Sequence, residues 1–173
     1  MTKKALLLAS LCFAFFVGGY AQQADGWQTF SPPNEKLTVS APCAPKLSPA
    51  LADPLVKITE YECIHDNTFF FLQITKFKWL GRKASKDEID GISKGFVEGI
   101  KGNLISQSEI TAGEVPGREL ILKITSSGVE LRGKTRLYFL ADTIYTVSVM
   151  IDGSATSFPP NADKFLNSVA FKK

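Results

Sequence analysis

The chain has 173 residues, of which 45% are hydrophobic and 21% charged, with a formal net charge of +3. That is enough for one domain with a real core, and it excludes a highly charged disordered chain. No basic tail or Arg-rich run points to nucleic acid, and no acidic block points to a solvating tail.

Residues 1–21 read as a secretory signal peptide. Lys3 and Lys4 precede an uncharged run over residues 5–17. Gly19 and Ala21 then give the small-x-small pattern of a signal-peptidase site. The run is short for a membrane span, which takes about 20 apolar residues. The expected mature protein is therefore one domain, residues 22–173, exported to the periplasm or beyond, with no integral membrane segment. Removing Lys3 and Lys4 from the 20 basic residues leaves 18 against 17 acidic ones, so the overall basic balance says little about partners. Cys12 leaves with the leader. Cys43 and Cys63 remain, and an even pair in an oxidising compartment predicts a disulfide.

In chain order, residues 27–30 (WQTF) alternate as a first short strand, and 31–35 (SPPNE) are turn chemistry. Leu37 and Val39 share a face of a second strand over 36–42. The three prolines of 43–54 make a surface loop. Strands over 55–64 and 68–77 flank His65-Asp66-Asn67 as a hairpin. The second is apolar on both faces around Phe69–Leu72, which predicts a central, doubly covered strand. A helix follows. Ser85 and Glu88 have capping-box spacing, and Ile89, Ile92, Phe96 and Ile100 make one apolar face. Gly91, Gly95 and Gly99 repeat every fourth residue, which predicts close approach of this helix to a sheet. Residues 104–112, 118–126, 130–141 and 143–151 read as a meander with short links. Asn161 is placed to cap a last short helix that buries Phe165, Leu166 and Val169.

Four short motifs in the second half carry a family resemblance. They are Pro116-Gly117-Arg118-Glu119, the basic strand Arg132 to Tyr138, Ile144-Tyr145-Thr146-Val147, and Phe165-Leu166-Asn167-Ser168-Val169. Together with SAPC (40–43) and YEC (61–63), they resemble exported, mostly uncharacterised bacterial members of the PsbP-like superfamily. The resemblance covers most of residues 27–171. It implies an α+β fold, with an antiparallel sheet packed by helices in an α/β/α sandwich, and no shared catalytic residues. It does not imply a photosynthetic role.

The search for chemistry is short. His65 is the only histidine. A catalytic triad needs a base oriented by a third group, and Asp66 is adjacent on a turn, where neighbours are expected to point apart. Glu62, Cys63, His65 and Asp66 are a conceivable metal set, but zinc sites take ligands as spaced pairs, and Cys63 has Cys43 as its partner. No phosphate-binding glycine motif occurs, and no cofactor is implied. Arg132, Lys134 and Arg136 fall at period two, so a strand puts them on one face with Tyr138 next in line. They form either a patch for an acidic partner or a solvated face paired to neighbours such as Glu119. Lys76, Lys78, Trp79, Arg82 and Lys83 cluster ahead of the helix as a second candidate surface. The sequence thus points to an exported, non-catalytic binding domain whose partner is an envelope or extracellular protein. The alternatives are a small-molecule or lipid carrier with a pocket between the helix and the sheet, and an unrecognised hydrolase.

Overall fold

The computed structural model describes residues 21–22, 26–48, 55–77, 84–126 and 128–172. Residues 1–20 of the expected leader, with Cys12, and the surface residues Lys78, Trp79, Arg82 and Lys83 lie outside them.

The N-terminal strands are β1 (Ala21–Gln22), β2 (Gln28–Phe30), β3 (Leu37–Ala41) and β4 (Lys46–Leu47). A long hairpin follows, β5 (Val56–His65) and β6 (Thr68–Phe77), then helix α1 (Lys86–Gly99). Four long strands come next: β7 (Gly102–Ala112), β8 (Val115–Ser126), β9 (Val129–Leu140) and β10 (Thr143–Asp152). Helix α2 (Pro160–Asn167) and β11 (Ala170–Phe171) end the described chain.

These strands make two antiparallel sheets. Seven strands run in the order β4-β5-β6-β10-β9-β8-β7, and four run β1-β2-β3-β11. The meander is as the alternation predicts, with consecutive neighbours from β7 to β10. The expected α/β/α sandwich is not what forms. Eleven strands stand against two helices among the described residues, and the fold is β-rich. The layer over one face of the large sheet is mostly another sheet. The reason lies in strand partnership. The first strands do not join the large sheet; β3 pairs with β11 from the far end of the chain, in the register Ala170↔Thr38 and Phe171↔Leu37. A two-residue strand has too little sequence to show a period.

Alternation divides the core accordingly. Phe70, Leu72 and Ile74 of β6 and Tyr145, Val147, Val149 and Ile151 of β10 point to the small sheet and α2, where Trp27, Leu37, Val39, Phe165 and Leu166 meet them. Leu120, Leu122 and Ile124 of β8, with Leu137, Phe139 and Ile144, point the other way, to Ile89 of α1. The doubly covered central strand is β10, buried from Thr143 to Val149. In β6 only one face is fully buried, since Phe69 and Phe71 are half-exposed.

Local chemistry sets the ends. Ser85 Oγ accepts from the Glu88 N–H, and Glu88 Oε2 accepts from the Ser85 N–H at 2.8 Å, the capping box the sequence predicts. Asn161 is not a cap: α2 begins with Pro160 at its first position after Pro159, with no side-chain cap bond. Proline needs none there, because its missing N–H would be unpaired in any case. The hairpin turn is the two residues Asp66 and Asn67, both at positive φ (47° and 55°), as a two-residue link between right-twisted strands requires. The glycine expectation also fails. A Cβ added at Gly91, Gly95 or Gly99 would meet nothing within 4 Å, so this stripe faces open space rather than the sheet.

Candidate functional site

The Cys43–Cys63 pair forms the expected disulfide, with Cα atoms 6.0 Å apart. It is compatible with an oxidising, exported environment. It ties the end of β3 to β5 and so holds the small sheet against the large one. His65 is half-exposed at the end of β5. Its Nε2 lies 3.1 Å from Asp66 Oδ2, with side chains 42% and 79% exposed. The expectation that the two neighbours point apart is corrected: the positive φ of Asp66 turns the carboxylate back onto the ring. Both groups still face solvent, and among the described residues no nucleophile is hydrogen-bonded to either side chain.

The basic stripe shares one face of β9, but the small-sheet layer and α2 cover it. Arg136 Nε donates to Glu119 Oε2 at 2.7 Å, and its Nη1 donates to the Leu166 carbonyl of α2 at 2.9 Å. Lys134 Nζ reaches Asp163 of α2 at 2.8 Å and Glu119 at 3.8 Å. Arg132 Nη1 donates to the carbonyls of Ala155 and Thr156, and its guanidinium lies over the Phe158 ring. Tyr138 is 2% exposed and packs edge-on to Phe171. These cations clasp α2 to the sheet. Burial is the largest single influence on the Arg136 guanidinium and pulls its pKa down, but the bond to Glu119 and the charges of Tyr138 and Glu119 together outweigh it, so the pKa ends above the ordinary value. Lys76 pairs with Glu35 at 2.7 Å.

On the opposite face, Arg118 ties α1 to the sheet. It is 6% exposed, contacts Asp90 Oδ1 through Nη2 at 2.6 Å, and reaches Glu109 at 3.3 Å. The space beside this network, about 270 Å³, is lined by Lys86, Asp90, Gln107, Ser108, Glu109 and Arg118. It is polar, unlike the apolar pocket a carrier would place under α1. Elsewhere under the helix, Ile89 closes on the buried leucines of β8 and β9.

The large apolar concavity lies at one end of the sheet and is assembled from four distant segments. Its volume is about 630 Å³. One wall is the β7–β8 turn, Ala112 to Pro116. Another is the end of β9, Phe139 to Ala141. The third is the run Val169 to Lys172 through β11, with Lys36 beside it. The hairpin reaches over because Gly117 lets β8 and β9 approach: a Cβ there would stand 2.5 Å from the Leu137 carbonyl oxygen. Val115 is buried and Leu140 half-buried. Lys36 and Lys172 are exposed at the rim, and Glu114 is exposed on the hairpin side. Neither lysine has an ionic partner among the described residues. A second hollow, about 600 Å³, is lined by Phe69, Leu131 and Met150 on the α1 face. It has Asn67 and Asp152 at its edge but no strand edge.

No sequence signal marks this groove. Its lining runs from Lys36 to Lys172, and the β3–β11 pairing brings those two ends together. Among the described residues no cluster of three or more His, Cys, Asp or Glu has metal-binding geometry, and no helix is long and apolar enough to cross a membrane.

No family model matches the chain, and no curated protein matches it significantly. Among solved structures it is similar to PA94, a protein of unknown function from Pseudomonas aeruginosa. The TM-score is 0.41 and the identity 10%, over 77% of this chain and 98% of that one.

Proposed function

We propose that this protein is an exported, non-catalytic binding domain, periplasmic or secreted, whose ligand is another protein. The observation that carries the reading is the groove of about 630 Å³, apolar on its floor and bordered by a strand edge and exposed lysines. That volume falls in the range of ligand sites. The charged groups elsewhere serve the fold: Arg118, Lys134 and Arg136 bind helices to the sheet. His65 and Asp66 stand on an exposed turn with no third group to organise them. The PsbP-like resemblance supports the same reading, since it brings no catalytic residues.

A second reading is favoured by the same volume. A small-molecule or lipid carrier would hold its cargo in this groove, at the end of the sheet rather than under α1. The two separate by photo-crosslinking. With a photoreactive phenylalanine at position 140, the exported protein is irradiated in its native envelope fraction. Discrete protein adducts are the expected result. Adducts of lipid alone would move the assignment to the carrier.

A further inference from the structure

We propose that the groove takes an extended, acidic segment of the partner protein as an added strand on the outer edge of β11. This rests on the protein-binding reading above and names the mode of contact.

The edge is open. β11 is the terminal strand of its sheet and pairs with β3 alone among the described strands. The Lys172 N–H donates to the Lys36 carbonyl at 2.8 Å. In an antiparallel ladder the bonded residues alternate, so Ala170 and Lys172 turn their backbone groups to β3. Those of Phe171, and of Val169 before it, turn away. Four consecutive residues, 169–172, line the groove. A strand presenting one face would contribute every second residue; consecutive residues are what an edge contributes. The Phe171 ring is already occupied, 5.6 Å from Tyr138 and 5.2 Å from Tyr145 between ring centres. What β11 offers the groove is main chain, and main chain is the recognition element of strand addition.

The rest of the groove selects the segment. Val115 and Leu140 give it an apolar floor for alternate side chains of an extended peptide. Lys36 and Lys172 stand on the β11 side, and Glu114 on the hairpin side. A carboxylate in the bound segment is therefore favoured near β11 and disfavoured near the hairpin. An acyl chain would fill the floor but leave the outward backbone groups of β11 without partners, a poorer use of the site. Among the described strands the sheets also end on β1, β4 and β7, and the one long edge of these, β7, is less suited. It has a bulge between Leu104 and Ser106, and its residues 103–109 are exposed on both faces, so an added strand would find no floor.

The test pans a phage-displayed random heptapeptide library on the purified exported protein. Enriched peptides are then synthesised with single N-methyl groups at each amide in turn. The expected winners carry Asp or Glu beside alternating apolar residues and compete with the position-140 crosslink. Methylation at alternate amides should weaken binding about tenfold, and methylation at the intervening amides should leave it unchanged. Lys36→Glu with Lys172→Glu should weaken the acidic peptides severalfold without moving the thermal midpoint. Competing peptides indifferent to the position of methylation, or a library yielding no competitor, would overturn strand addition while protein adducts at position 140 left the protein-binding reading standing. Lipid adducts alone would overturn both.

Discussion

Arg136 and Glu119 form a 2.7 Å ion pair whose side chains are only 15% and 19% exposed, between two neighbouring strands and beneath α2. The pair is structural: it sits where the Leu166 carbonyl at the end of α2 also needs a donor. Arg136→Leu leaves Glu119 half-buried with only Lys134, 3.8 Å away, to answer it. Breaking such a pair from one side costs more than removing both charges. The expected loss in unfolding free energy is about 2 kcal/mol, and the Arg136→Leu/Glu119→Leu double variant should recover part of it. Urea denaturation of the three variants measures this, and a double variant no better than the single would contradict it.

Much of this fold is legible in the sequence because apolar and polar residues alternate along much of β6, β8 and β9. Val147 and Val149 against Thr146 and Ser148 give β10 its address, and Ser85 with Glu88 marks the start of α1. The layer structure is not legible. Which sheet residues 37–41 join depends on Ala170 and Phe171, and two residues carry no period. The groove inherits that opacity, since its walls meet only once β3 and β11 pair. The basic stripe illustrates the converse. Arg132, Lys134 and Arg136 can be placed on one face from spacing alone, but the arrival of Asp163 and the Leu166 carbonyl over that face depends on where α2 docks.

The Cys43–Cys63 bond closes a loop with a sequence separation of 20. In the chain-entropy account this removes about 3 kcal/mol of freedom from the unfolded state. Reduction, or Cys43→Ala with Cys63→Ala, should lower stability by that order. Alkylation of the protein purified without reductant, followed by intact-mass analysis, should find neither cysteine modified until the protein is reduced.

His65→Ala should change stability by less than about 0.5 kcal/mol, the usual range for exposed positions away from packing. The ring is 42% exposed and its contact with Asp66 is screened by water. Binding through the groove should be unaffected. A large loss of binding at unchanged stability would place function on the hairpin turn instead.

Tyr145 donates from its hydroxyl to Glu35 Oε2 at 3.1 Å. Burial pushes its phenol well above the ordinary tyrosine range, and the Glu35 carboxylate adds to the shift. A group whose pKa is higher folded than unfolded contributes stability that is complete below the unfolded value, near 10. That stability is lost as pH rises toward the folded value. The native protein should therefore lose stability above pH 10. Tyr145→Phe should cost about 1 kcal/mol at neutral pH and flatten the alkaline fall. Denaturant midpoints between neutral and strongly alkaline pH read both effects, and identical alkaline slopes would show that Tyr145 is not their source.

Two glycines make opposite predictions from the same substitution. At Gly95 a methyl group meets nothing within 4 Å, and the residue lies inside α1. Alanine there removes the backbone freedom that glycine has in the unfolded chain, so Gly95→Ala should stabilise by about 0.5–1 kcal/mol. At Gly117 the added Cβ would lie 2.5 Å from the Leu137 carbonyl oxygen and 3.0 Å from Tyr138 Cδ1. Backbone cannot yield cheaply, so β8 must move away from β9. Gly117→Ala should destabilise by about 2 kcal/mol or more. It should also disturb the groove, because Val115 and Pro116 ride on the same strand. Thermal unfolding of the two variants side by side tests the pair. Equal shifts of one sign would mean that the approach of β8 to β9 at Gly117 does not constrain the hairpin wall.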